Sequence, residues 1–164
     1  MAQSALPPVS SVALPQASYA LYNASILDIW GVFKLERACF GITDGYGLDT
    51  LFTLLLTPRN TLIKAVSNRK LVGFVAGELE YQHRAGWVIT IGVLPDYAGR
   101  GIGRALLEAA EQRLFQDVTR VKLTVRHSNE RAIKLYQRSG YHWIATYQHY
   151  YHDGEDGLVM EKTL

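Results

Sequence analysis

Residues 86–106 read Gly-Trp-Val-Ile-Thr-Ile-Gly-Val-Leu-Pro-Asp-Tyr-Ala-Gly-Arg-Gly-Ile-Gly-Arg-Ala-Leu, and no other stretch constrains the fold as much. The order is an apolar strand, a turn at Pro95-Asp96, and a glycine-rich loop that opens into a helix. Gly99, Gly101 and Gly103 allow backbone N–H groups to converge at a helix N-terminus, a geometry that binds phosphate. A nucleotide P-loop is excluded because no Lys follows these glycines. A Gly-x-Gly-x-x-Gly dinucleotide fingerprint is excluded too: counting from Gly99 puts Arg104 at the last glycine position, and counting from Gly101 puts Leu106 there. A tight strand-to-helix turn is the plainer reading. Three glycines within five residues, flanked by Arg100 and Arg104, favour a pyrophosphate ligand instead.

The rest of the chain divides into short periodic segments. Tyr19–Tyr22 reads as a first strand, and Ser25-Ile-Leu-Asp28 resembles a capping box ahead of a helix carrying Ile29, Phe33, Leu35 and Phe40. Gly41 stops that helix, Gly41–Gly47 reads as a flexible loop, and Leu48–Leu56 as a second, apolar helix ended before Pro58. Leu62–Val66 and Leu71–Tyr81 form a hairpin across Ser67–Lys70, with Gly73 and Gly77 marking close backbone approach. After the strand that begins near Gly86, a helix spans about Gly101–Phe115. Its core stripe is Ile102, Ala105, Leu106, Ala109 and Ala110, with Glu108, Glu111 and Gln112 facing water. Val121–Val125 is a strand and Asn129–Arg138 a helix ended at Gly140. Tyr141–Tyr150 and Leu158–Lys162 are two last strands about a turn at His152-Asp153-Gly154.

A chain of 164 residues, 48% apolar and 20% charged, is an ordinary single globular domain. Residues 19–164 would form that domain. Met1–Ser18 reads as a mobile tail, with three prolines and no basic start of the kind a secretory signal has. A net charge of +2 and the lack of a basic-aromatic run argue against a nucleic-acid partner. No apolar run is long enough for a membrane span. The single cysteine, Cys39, excludes an internal disulfide, reads as a small buried hydrophobe and fits the reducing cytoplasm.

Val93, Pro95, Tyr97, Gly101 and Gly103 fall in register with motif A of the GNAT acetyltransferases, and the segment resembles it, with Ala98 where that family usually has Arg or Gln. Asn129-x-x-Ala132-x-x-Leu135-Tyr136-x-x-x-Gly140-Tyr141 resembles motif B of the same family. The same residues also serve as helix face, cap and stop. The resemblance covers nearly the whole chain after the tail. It implies an α/β (α+β) GNAT fold: a mixed, mostly antiparallel sheet of about seven strands splayed after the fourth, with four helices. It also implies transfer of acetyl from acetyl-CoA to a primary amine, with no metal.

By that resemblance, Ala98, Gly99, Arg100, Gly101, Ile102, Gly103, Arg104 and Ala105 would hold the coenzyme at its pyrophosphate, and Asn129 and Tyr136 would also bind the coenzyme. Ile91, Gly92 and Val93 would offer N–H groups to the thioester carbonyl, Gly92 easing a bulge that frees them. Tyr136 would protonate the leaving thiolate as general acid. An ammonium is not a nucleophile, so the acceptor must also lose a proton. Thr124 and Trp87 occupy positions where relatives carry a base, and Thr124 cannot act as one. Glu78 and Glu80 share a strand face and could act through water; His83, His127 and Asp44 are further candidates.

The run His149–Met160, with Tyr150-Tyr151 ahead of Asp153-Gly154-Glu155-Asp156, is similar to a segment of protein N-terminal acetyltransferases, including the ribosomal-protein alanine type. The resemblance places Tyr150 and Tyr151 in the acceptor slot, with Asp44 nearby. It implies the α-amino group of a protein or peptide as acceptor. A small-molecule amine, or a non-catalytic acetyl-CoA sensor, stays open. The sequence does not settle whether the protein is a monomer or a homodimer.

Overall fold

The structure is a computed structural model, and it describes residues 18–164. The tail expected at Met1–Ser18 lies outside the described residues except for Ser18, whose carbonyl accepts a hydrogen bond from Ser67 Oγ at 3.1 Å.

Seven strands form one sheet: β1 (Ala20–Asn23), β2 (Thr61–Ser67), β3 (Lys70–Glu80), β4 (Ala85–Val93), β5 (Arg120–Arg126), β6 (His142–Tyr147) and β7 (Gly157–Thr163), in the order β1-β2-β3-β4-β5-β7-β6. All neighbours are antiparallel except β4 and β5. The β2–β3 hairpin turns on Asn68 and Arg69, both at positive φ, as a tight two-residue hairpin requires.

β3 is buried along most of its length because helices cover both faces of the sheet. On one face, α1 (Ile29–Asp44) and α2 (Leu48–Leu56) enclose Val32, Leu35, Leu51, Phe74 and Ala76. On the other, α3 (Ile102–Leu114) and α4 (Glu130–Arg138) pack with Val72, Val75, Leu106, Leu123 and Met160. The close approach expected at Gly73 is real: a Cβ there would lie 2.8 Å from Leu106 Cδ1 on α3.

Four expectations need correcting. Gly41 does break the helix, at φ 75°, but residues 42–44 resume it, and Arg37 Nη1 reaches back to the Ile42 carbonyl at 2.6 Å. The loop is thus shorter than Gly41–Gly47. Glu111 does not face water: it is 5% exposed, because Lys162 on β7 reaches its Oε2 at 2.5 Å. β6 ends at Tyr147 rather than Tyr150, since residues 148–156 fold into a hydrogen-bonded loop with Tyr151 N–H donating to the Glu155 carbonyl at 3.1 Å. The bulge in β4 is not at Gly92. The register shifts between Ala76 and Gly77, which pair with Thr90 and Val88, so Ile89 is the extra residue. Gly92 instead lets α1 sit down on the sheet, where a Cβ would come 2.9 Å from Leu35 Cδ2 and 3.2 Å from Cys39 Sγ.

Candidate active site

β4 and β5 pair only from Ala85–Arg120 to Val88–Leu123, and then part. This parting opens a cleft of about 610 Å³ between the two halves of the sheet. Leu94 N–H bonds the Val72 carbonyl on the β3 side at 2.9 Å. Strand alternation then turns the N–H groups of Ile91 and Val93 away from β3, toward the open edge. Two donors therefore point where a carbonyl oxygen could take up charge. The third residue of that expected trio, Gly92, turns its N–H back into the sheet by the same alternation.

The glycine loop lies at the N-terminus of α3. Gly99 and Gly101 both adopt φ 79°, a conformation costly for residues with a Cβ. A Cβ on Gly101 would meet nothing within 4 Å, so the loop leaves room in front of the helix end. The first-turn N–H groups of Ile102, Gly103 and Arg104 have no partner inside the helix. Two residues of the expected set contribute differently: Ala105 N–H is taken by the Gly101 carbonyl at 3.0 Å and Ala98 N–H by the Pro95 carbonyl at 3.1 Å. Arg104 is turned along its helix to Glu108 at 2.7 Å, and Arg100 stacks on Tyr97. The sequence reading missed Arg131 on α4, whose Nη2 would be 3.8 Å from a Cβ on Gly99 and so adds a cation beside the loop. The space, the donors and the cation fit a pyrophosphate.

Tyr136, on α4, lines the cleft and is 6% exposed. Burial pushes its hydroxyl far above the ordinary tyrosine range, with Tyr151 adding to the effect, so it stays protonated and able to donate. Asn129 caps α4, its Oδ1 accepting from Ala132 N–H at 3.1 Å, and reaches the same cleft. Glu78, Glu80, Asp44, Tyr150, Tyr151, Trp87 and Thr124 also border it. His83 and His127 are exposed residues outside its lining.

The two strand glutamates differ. Glu80 receives Trp87 Nε1–H at 2.9 Å and lies 2.9 Å from His83 Nδ1. These contacts hold it below the usual carboxylate range, which weakens it as a base. Glu78 is exposed and has no hydrogen-bond or ion-pair partner among the described residues.

A third carboxylate was not anticipated. Glu36, on α1, is fully buried in the cleft wall, accepting from Thr90 Oγ1 at 2.7 Å and from Tyr46 N–H at 3.2 Å. Burial raises its pKa above the usual glutamate value against the effect of those bonds. Its signal in the sequence was a carboxylate at helical spacing among Ile29, Phe33 and Phe40. Arg126, also missed, is the one cationic side chain bordering the cleft among the described residues. Among those residues no group of His, Cys, Asp and Glu side chains could hold a metal ion. No helix there is long and apolar enough to cross a membrane.

The Acetyltransferase (GNAT) family model matches residues 29–141. The chain is 28% identical to an N-alpha-acetyltransferase of Sulfurisphaera tokodaii, over 89% of this chain and 93% of that one. It is 35% identical to N-alpha-acetyltransferase RimI of Mycobacterium tuberculosis, over 79% and 82% respectively. The crystal structure of the ribosomal-protein-S18-alanine N-acetyltransferase from Escherichia coli superposes with a TM-score of 0.80 at 25% identity, covering 89% of this chain and 94% of that one.

Proposed function

The chain belongs to the GNAT acetyltransferase family, and from that premise we propose that it transfers acetyl from acetyl-CoA to the α-amino group of a protein or peptide N-terminus. The observation that carries this reading is the single cleft joining three features. Backbone donors lie at the splayed edge of β4, and Tyr136, Tyr150 and Tyr151 line the same cleft.

Acetyl-CoA, when bound, supplies the activated acetyl group and the thiol leaving group. The N-terminus of α3 and Arg131 hold its pyrophosphate. Ile91 and Val93 N–H groups stabilise the charge that develops on the carbonyl oxygen, and Tyr136 Oη–H holds the proton the departing sulfur needs. The acceptor reaches a cleft bordered by Glu36, Asp44, Glu78 and Glu80 against Arg126 alone, which favours a cationic ammonium. Glu78 takes one proton of the ammonium through water before the amine attacks, and the second proton, shed as the N–C bond forms and the C–S bond breaks, replaces the one Tyr136 gives to the sulfur. Glu80 is engaged by Trp87 and His83, and Thr124 has no basic group. The low intrinsic pKa of a peptide α-amine, near ~8, lessens the demand on that base. Residues 19–164 act as one catalytic domain, and the protein works in the cytoplasm.

The test is release of free coenzyme A in the presence of peptides with varied free N-termini, read by thiol titration and product mass. Acetylation confined to peptide α-amines is expected. Turnover only with small amines would overturn the acceptor, and no turnover with any amine would overturn the enzyme reading.

A further inference from the structure

Arg126 sits at the end of β5, with its side chain only 20% exposed, where three separate segments meet. Its Nε donates to Asp44 Oδ2 at 2.9 Å and its Nη2 bonds the same oxygen, gripping the end of α1. Its Nη1 reaches Asp153 Oδ2 at 2.9 Å and Glu155 Oε2 at 2.5 Å, gripping the loop between β6 and β7. The guanidinium carbon lies 4.1 Å from the Tyr151 ring centroid. Tyr151 meets Tyr150 edge to face at 5.1 Å, and Tyr150 stands 5.8 Å from Tyr147. Glu155 Oε1 accepts Ser128 N–H at 2.7 Å, so the same loop is tied to the start of α4, the helix that carries Tyr136.

We infer that Arg126 is a positioning residue: it clamps the end of α1 to the β6–β7 loop and thereby sets the aromatic wall of the acceptor slot. This rests on the acceptor reading above. Only a planar guanidinium can serve these partners together. It presents two nitrogens to Asp44, a third to the paired loop carboxylates, and a flat face to Tyr151. A lysine ammonium is a point charge and can hold one side of the clamp at a time. The coenzyme loop at Gly99–Arg104 shares none of these contacts, so loosening the clamp should affect the acceptor and spare the coenzyme.

The experiment compares the full-length protein with Arg126→Lys and Asp44→Asn, the second variant opening the clamp without touching β5. Steady-state constants are measured for the best peptide from the pool and for acetyl-CoA, and amide hydrogen exchange is followed over residues 148–156. Arg126→Lys should raise the peptide KM roughly tenfold, the effect of losing one charge-assisted contact, with the acetyl-CoA KM unmoved. Exchange in 148–156 should quicken in both variants, and Asp44→Asn should reproduce part of the KM effect. Unchanged loop exchange in both folded variants would overturn the clamp, and so would equal rises in both KM values. If the parent protein acetylates no peptide, the acceptor reading falls, and the exchange measurement still decides whether Arg126 holds the loop.

Discussion

Tyr136 and Glu36 are both buried against the cleft, one carrying a hydroxyl and the other a carboxylate. Tyr136 keeps its proton because a phenolate is costly in its surroundings, yet its hydroxyl borders the cleft. Tyr136→Phe should lower kcat by about 10²-fold or more, the contribution of a positioned general acid, while coenzyme affinity stays unchanged. An unaltered kcat would remove Tyr136 from the mechanism. Glu36 joins α1, the Tyr46 backbone and Thr90 of β4. Its folded-state pKa is raised, so the unfolded chain holds the ionised form more readily than the fold does. The resulting cost to stability is absent well below the ordinary glutamate value of 4.5 and grows as pH rises through it. Glu36→Gln should therefore gain stability relative to the parent as pH is taken from 4 to 8 in urea titrations. A relative loss over that range would show that the carboxylate's hydrogen bonds outweigh its desolvation. The placing of Tyr136 on a helix was legible from its motif. Glu36 was not singled out, because a lone carboxylate on a helix is ordinarily solvated and its burial depends on Thr90, 54 residues away.

Elements in this fold were easiest to place where the pattern was local. The two-residue turn at Asn68-Arg69, the apolar α2 and the cap at Asn129 each follow from neighbouring residues. The errors came where a distant contact decided. β6 stops at Tyr147 because the following loop is drawn toward Arg126. Glu111 is buried because Lys162 lies 51 residues away in sequence and at hydrogen-bond distance in space. Gly92 was read as a bulge, whereas its missing Cβ is what lets α1 approach β4. Gly92→Ala should therefore cost about 1–3 kcal/mol by overpacking against Leu35, Cys39 and Phe40. A denaturant midpoint equal to that of the parent would show that α1 shifts without penalty.

At the scale of the whole molecule, the site exists because the sheet is paired at one end of β4–β5 and open at the other. Both halves contribute: in the proposed function α3 and β4 would offer the coenzyme donors, while α1, β5 and the β6–β7 loop, joined through Arg126, would shape the acceptor side. A ligand bridging the halves should couple them. Coenzyme A at 100 times its Kd should add about 2.7 kcal/mol to stability, which for a domain of this size is a rise in Tm of roughly 5–10 °C. A Tm that ignores saturating coenzyme A would mean that the α3 loop does not hold the coenzyme.

The sequence by itself determined the strand–glycine loop–helix unit, the second motif around Tyr136, and the β2–β3 hairpin with its close approach at Gly73. Each of these is written in residues a few positions apart, where backbone conformation and side-chain period act directly. Only the tertiary structure decided which carboxylates are buried, which are engaged and which stand free in the cleft. It also decided that Arg131 joins the glycine loop and that Arg126 meets Asp44 across 82 positions. Those features arise from packing and charge pairing between segments remote in sequence, and no local pattern records which remote partner a side chain will find.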